Sequence, residues 1–354
     1  MNASMHLTGE TLNAAGVTVD VRTPAEFAKG AVAGAFNIPL FTDHERAEVG
    51  TIYKRIGRHE AVDAGMEFVG GRLAEFVQAF EPFRDKGLVV YCARGGMRSA
   101  AVTSLLAALG HQVSQLPGGY KAYRNYVLEK LNGPMPPRLL VLHGQTGVGK
   151  TLLLHRLANT LDLEGLAQHR SSLFGAVGLQ PRTQQQFEAH LMQRLERLDH
   201  GKPVWVEGES RKVGNAILPG PLRQSMQAGT CVLVTASLPT RIRRIIAEYG
   251  GKEPATLAQL EVALRSLNAF FGNARTDELA GLLRRGELEP VVETLLLEYY
   301  DPRYRHGMQN YQYALELDSE NLEQAAATLD AFWQNAAEKQ PDAVGPAEPP
   351  ENAG

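Results

Sequence analysis

The chain has 354 residues, 44% of them apolar and 21% charged, with a formal net charge of −3. That length is too great for one ordinary domain and fits two, each able to bury its own core. The near-neutral charge excludes a whole-protein field directed at nucleic acid or anionic membrane, although a local basic face could still bind RNA. In chain order, Val17–Val21 is a compact strand, and Thr23-Pro24-Ala25-Glu26-Phe27 starts a helix with proline just inside it. Ala35–Pro39 is a short extended run. Phe68–Phe83 shows helical spacing of Leu73, Phe76, Val77 and Phe80. Leu88–Tyr91 has the all-apolar pattern of a buried strand. Ser99–Leu109 is a helix closed by Gly110, and Val113–Leu116 a last strand before the turn Pro117-Gly118-Gly119. Such β/α alternation implies a parallel sheet with helices on both faces.

Gly133-Pro134-Met135-Pro136-Pro137 has few backbone donors and cannot continue a helix, so it marks the domain boundary. Arg138–His143 is then a strand and Thr151–Leu161 a helix. Pro203–Glu207 and Cys231–Thr235 are further strands. Leu257–Tyr300 is helical almost throughout, Tyr311–Leu317 a returning strand and Leu322–Phe332 a closing helix. The expected organisation is an α/β domain over 1–133, a linker over 134–137 and a second α/β domain over 138–335. A helical insertion lies at about 255–300, and a disordered tail covers 336–354. Two cysteines, Cys92 and Cys231, argue against a disulfide framework. MNASMHLTGE carries no basic-then-apolar leader, and no run approaches the ~18 apolar residues of a membrane span. A cytoplasmic protein without membrane association is expected.

Two anion-cradling loops carry the chemistry. In the first, Cys92 ends a strand and is followed by Ala93-Arg94-Gly95-Gly96-Met97-Arg98-Ser99. Gly95 and Gly96 permit the tight curvature of a backbone nest, with Met97 inside the same loop. The following helix start, Arg94 and Arg98 add positive charge, and all favour thiolate over thiol. Cys92 is therefore a candidate nucleophile, whereas Cys231, inside Cys-Val-Leu-Val, fits a buried strand residue. The second loop is Gly144-Gln145-Thr146-Gly147-Val148-Gly149-Lys150-Thr151, a complete phosphate-loop pattern between a strand and a helix. Its glycines let the backbone wrap a phosphate, Lys150 supplies charge, and Thr151 is the residue that ordinarily ligates Mg²⁺. Glu207 and Glu209, after the strand Val204–Val206, are either metal ligands or bases, or else cap the strand end and pair with Arg211. Both readings stay open, as does the nature of the diphosphate compound bound.

The segments DVRTPAEFAKGAVAGAFNIPL, CARGGMRS and LPGGYKAYR resemble a rhodanese-type sulfurtransferase domain over roughly residues 12–130. Asp20 and Arg22 match that family's Asp-x-Arg and are read as a structural salt bridge. Fused to a phosphate-loop domain, and with TIYKRIGRHEAVDAG, LHGQTGVGKT and WVEGESRKVG, the chain is similar to the tRNA 2-selenouridine synthases. That resemblance implies modification of the 2-thiolated wobble uridine of tRNAs for Lys, Glu and Gln. Geranyl diphosphate first alkylates the sulfur, and selenium from selenophosphate then replaces it, with Cys92 as selenium carrier. It implies no tightly bound cofactor; Mg²⁺ is left open. Arg241-Ile242-Arg243-Arg244 and Arg303-Tyr304-Arg305-His306 are basic clusters open to RNA, and Phe270 and Phe271 could line a prenyl channel or an ordinary core. An ATP-dependent tRNA sulfurtransferase and a nucleotide-gated regulatory module with a rhodanese fold are the alternative readings.

Overall fold

A computed structural model describes residues 16–136, 138–250, 254–308 and 311–338, without side chains for 305–308 and 335–338. The chain divides into two compact units. The first has the bounds Met1–Met135, Glu164–Arg197 and Arg211–Arg223; the second has Pro136–Leu163, Leu198–Ser210 and Gln224–Gly354.

In the first unit, strands β1 (Val17–Asp20), β2 (Phe36–Asn37), β3 (Leu88–Tyr91) and β4 (Val113–Gln115) form one parallel sheet in the order β2-β1-β3-β4. β3 reads as a continuous, fully buried apolar run, whereas β1 interleaves Thr18 and Asp20 with its valines. Val19, Val21, Leu88 and Val90 meet Phe76, Phe80, Val102 and Leu106 in the core. Thr23 caps helix Pro24–Lys29 in a complete capping box with Glu26, as its sequence signals require. The expected helix over Phe68–Phe83 is instead three pieces. Arg58–Gly70 ends at the Gly70-Gly71 pair, Leu73–Gln78 follows, and Glu81–Phe83 is a 3₁₀ turn containing Pro82. The helix Gly119–Leu131 follows the turn that the sequence marked.

The division by packing differs from one made by linear segment. The stretches 164–197 and 211–223, which lie inside the expected second domain, pack with the first unit. The reason is side-chain pairing along two helices. From Gln184–Glu196, Gln185 accepts from the Tyr120 hydroxyl at 3.0 Å and Glu188 pairs with Arg124. Gln184 also clasps Ile217, on a small hairpin of β8 (Lys212–Val213) and β9 (Ala216–Ile217), through both backbone groups. β6 (Thr160–Leu161) precedes the first stretch in the chain, and β7 (Val204–Glu207) precedes the second.

In the second unit, β5 (Leu139–His143), β6, β7, β10 (Thr230–Thr235) and β11 (Tyr313–Asp318) form a parallel sheet in the order β11-β10-β5-β7-β6. Leu140, Leu142, Leu153, Trp205, Val232 and Leu329 fill one of its faces. The helix expected over Thr151–Leu161 lasts only from Lys150 to Leu154. It is capped at His155, and Asn159, at φ 52°, anchors the turn that follows on the carbonyls of Asp199 and Pro203, so Thr160 and Leu161 can pair with β7. Helices Pro254–Arg265, Asn268–Phe271, Asn273–Arg284 and Leu288–Thr294 and a π-helical turn, Leu295–Tyr300, make up the helical insertion. The closing helix runs from Leu322 to Glu338, past the expected Phe332. The rest of the tail expected to be disordered, 339–354, lies outside the described residues.

Candidate active sites

The thiol loop begins where β3 ends, and helix Gly119–Leu131 closes on it from below. The Tyr120 and Lys121 amides donate to the carbonyls of Cys92 (2.9 Å) and Ala93 (3.0 Å). Gly119, at φ 57°, lies so close that a Cβ there would fall 2.3 Å from the Cys92 carbonyl oxygen and 2.4 Å from the Gly95 nitrogen. With those carbonyls held outward, the sulfur of Cys92, 3% exposed, faces a ring of donors. The Ser99 hydroxyl donates to it at 3.1 Å. Burial pushes this thiol up, but bonds from the Ser99 hydroxyl and from the amides of Ser99, Arg94 and Gly96 more than offset it, so the thiol lies below its usual range.

The two arginines expected in this nest do different things. Arg98 turns away and forms a bidentate pair with Glu26 at 2.7 and 3.2 Å. Arg94 is exposed, as is Met97 at the start of the helix. Hydrogen bonds, rather than guanidinium charge, therefore lower the thiol. Asp20 and Arg22 form the expected structural salt bridge, fully buried, with Arg22 stacked 3.9 Å from the Tyr120 ring. Ser99 and Gln115, absent from the candidate residues, are brought to the loop by the fold; the Gln115 amide donates to the Ser99 hydroxyl at 2.7 Å. Cys231 is buried in β10 and its thiol is pushed up by that burial, as its sequence setting indicated.

The phosphate loop connects β5 to the short helix beginning at Lys150. Gly144 takes φ 151°, and a Cβ there would lie 2.4 Å from the Val234 carbonyl oxygen. The Lys150 ammonium donates to the Gly144 and Gln145 carbonyls at 2.8 and 3.3 Å. Outward-facing carbonyls of the loop are capped from helix Leu238–Tyr249. Arg241 donates through Nε to Thr146 (2.8 Å) and reaches the Gln145 side chain, while Arg244 and Ser319 donate to Val148 at 2.8 and 2.7 Å. Arg241 is 3% exposed and ion-paired to Asp301. The basic run at 241–244 is thus mostly a brace for the loop, and only Arg243 is exposed. Glu207 is buried at the end of β7 in register with Leu142, which sets it beside the loop strand; Glu209 follows two residues on, half-buried.

Aromatic rings gather at two places in this unit. His143, next to Gly144, lies 4.2 Å from the Tyr311 ring and 5.9 Å from Tyr313. Burial and the nearby Lys150 lower His143 to about 4, so it is neutral at pH 7. Against the helical insertion, Arg303 of helix Asp301–Met308 stacks over Tyr299 at 3.7 Å and over Phe270 at 5.0 Å. Two features that the sequence presented separately, the Phe270 pair and the Arg303 cluster, are thus one surface. Arg305 and His306 lie outside the described side chains. Among the described residues, no group of three or more His, Cys, Asp or Glu is arranged to hold a metal, and no helix is long and apolar enough to cross a membrane.

A donor-ringed cysteine after a parallel strand, joined to a braced phosphate loop on a second parallel sheet, defines a rhodanese domain fused to a P-loop domain. The chain matches the rhodanese-like domain over residues 7–126 and the tRNA 2-selenouridine synthase AAA domain over 137–336. Relatives named tRNA 2-selenouridine synthase include one from Pseudomonas fluorescens, 35% identical over 90% of this chain and 94% of its own. Another, from Cupriavidus necator, is 37% identical over 83% and 89%, and one from Hahella chejuensis is 35% identical over 82% and 85%. The chain belongs to the tRNA 2-selenouridine synthase family. A solved N-terminal domain from Clostridium difficile 630 is 46% identical over 32% of this chain and 88% of its own, but its TM-score of 0.31 is too low to inform the architecture.

Proposed function

We propose that this enzyme converts 2-thiouridine at the wobble position of tRNAs for Lys, Glu and Gln into 2-selenouridine. The reading rests above all on one observation: a cysteine ringed by hydrogen-bond donors and a complete phosphate loop occur in one chain. In the first step the thiouridine sulfur attacks C1 of geranyl diphosphate. The C–O bond breaks, and diphosphate leaves with the electron pair. The loop Gly144–Thr151 and Lys150 stabilise that leaving group as its charge develops. For this Lys150 exchanges its two carbonyl contacts for phosphate oxygens. A magnesium ion accompanying the diphosphate would be held by Thr151 and Glu207 and would neutralise charge on the leaving group. His143, Tyr311 and Tyr313 offer a neutral aromatic wall beside the loop for the prenyl group.

In the second step the selenium of selenophosphate adds to C2 of the nucleobase, geranylthiolate departs with the electron pair of the C–S bond, and water takes up the phosphoryl group, leaving 2-selenouridine and phosphate. Cys92 acts as the selenium carrier without a change in oxidation state: the donors that ring its sulfur suit the anionic selenium of selenophosphate beside it. The test is mass spectrometry of thiolated tRNA incubated with the protein, geranyl diphosphate and selenophosphate, each omitted in turn. S-geranyl-2-thiouridine should accumulate without selenophosphate, and 2-selenouridine should appear only with both. Sulfur or selenium transfer that needs ATP and no geranyl diphosphate would replace this reading with the ATP-dependent transferase.

A further inference from the structure

We infer that Gln115 is a positioning residue that aims two of the donors at Cys92, the Ser99 hydroxyl and the Gly96 amide. The inference concerns the state of the thiol and rests on the carrier reading only for its consequence in catalysis. Gln115 is the last residue of β4, in register with Val90 of β3, and this places its side chain over the loop that follows β3. Its amide nitrogen lies 2.8 Å from the Gly95 carbonyl and 3.4 Å from the Gly96 carbonyl. Carbonyls only accept, so the nitrogen, not the oxygen, must face them. The same nitrogen is 2.7 Å from Ser99 Oγ, which therefore accepts from it.

Two consequences follow from elementary geometry. A serine hydroxyl has one proton. Once Gln115 supplies the bond that Oγ accepts, that proton is left to donate, and Cys92 Sγ stands 3.1 Å away. The Gly96 carbonyl, 3.3 Å from the same oxygen, is the competing acceptor. Gln115 Nε2 lies 3.4 Å from that carbonyl, but its two protons go to the nearer Gly95 carbonyl and Ser99 Oγ, and at 3.1 Å the sulfur contact is the shorter of the two open to the hydroxyl. The second consequence concerns the Gly95–Gly96 peptide. In a planar trans peptide the C=O and the next N–H point in opposite directions. Fixing the Gly95 carbonyl on Gln115 turns the Gly96 N–H the other way, toward the sulfur that it stabilises. One neutral side chain thus sets a hydroxyl and an amide together, without adding charge to the pocket.

Other charges around the loop are accounted for. Arg98 is paired with Glu26, Arg22 with Asp20, and Arg94 and Lys121 are exposed. The loop therefore depends on oriented dipoles, and their orientation is what Gln115 supplies.

The experiment measures the pH dependence of Cys92 alkylation by iodoacetamide in the full chain, with the modified peptide followed by mass spectrometry so that buried Cys231 is not counted. Gln115→Met keeps the length and removes the donors. Its alkylation midpoint should rise by about one pH unit, so that the thiolate fraction at a pH below both midpoints falls about tenfold. Ser99→Ala should raise the midpoint as well. The double variant should rise by less than the sum, because Gln115 acts partly through Ser99. A Gln115→Met midpoint equal to wild type, in protein with an unchanged circular dichroism spectrum, overturns the inference, and so does full additivity in the double variant. Gln115→His restores a donor at similar reach and should recover part of the shift if the loop is intact. A midpoint that moves while the pH–rate profile of selenation does not would leave the positioning role standing and sink the carrier reading instead.

Discussion

The Arg241–Asp301 pair gives the most demanding test of how the phosphate loop is held. Both side chains are almost fully buried, and their two bonds measure 3.0 and 2.6 Å. Removing one partner of a buried pair leaves a charge without compensation, which costs about 3–5 kcal/mol. Asp301→Asn should sit near 3 kcal/mol, since Arg241 keeps its bonds to Thr146 and Gln145. Arg241→Met should cost more, because Asp301 and the Thr146 carbonyl both lose their donor. Arg241→Met combined with Asp301→Leu removes both charges and should recover most of the loss. The assay exploits the two tryptophans, Trp205 and Trp333, which both lie in the second unit, Trp205 fully buried in its sheet. Tryptophan emission during urea titration thus reports that unit alone. With a slope of about 2 kcal/mol/M, a 3 kcal/mol loss moves the midpoint by about 1.5 M. Diphosphate binding should separate the variants further, Arg241→Met losing affinity and Asp301→Asn keeping most of it. Midpoints within about 0.3 M of wild type for both single variants, or a double variant that loses the sum of the two, would refute the bracing role.

Further outcomes concern chemistry and pH. Cys92→Ser should abolish selenation and leave geranylation within about threefold of wild type, whereas Lys150→Ala should cut geranylation by about 100-fold; mass spectrometry of the tRNA products checks both, and equal loss of the two steps in Cys92→Ser counts against the division of labour. Tyr311→Ala should weaken geranyl diphosphate binding about tenfold while inorganic diphosphate binds as before, by calorimetry; equal weakening of both ligands would remove the aromatic wall from the account. His143 has its folded pKa lowered from 6.5 to about 4, so below pH 6.5 the unfolded chain takes up the proton first. Stability of the second unit should then fall as pH drops from about 6.5 to 4, by about 1–2 kcal/mol once the partial exposure of the ring is allowed for. His143→Phe should flatten that part of the tryptophan-monitored pH profile, and an unchanged slope would show that another group is responsible.

Both anion loops were legible in the sequence because each is built from contiguous residues. A strand, a glycine-containing turn and a helix start suffice to converge backbone N–H groups, and those signals lie within about ten residues of one another. The parallel sheets were legible as apolar runs separated by helical patterns, and the Asp20–Arg22 bridge as a two-residue motif. Helix ends were less so. The helix expected over Phe68–Phe83 runs through the Gly70-Gly71 pair where the structure breaks it, and the turn at Asn159 depends on carbonyls 40 and 44 residues away.

What only the tertiary structure decided is which side chains serve these loops. Amphipathic spacing says that a helix buries one face but not against what, so Gln184–Glu196 gave no sign in sequence that it packs beside Gly119–Leu131. Arg241 read as part of a basic surface cluster, yet it caps a carbonyl 95 residues away. Arg98 read as a pocket charge, yet Glu26 takes it up 72 residues earlier in the chain. A nest of amides can be composed locally. The residues that keep its carbonyls turned outward come from other elements, and long-range hydrogen bonds leave no period along the chain by which to find them.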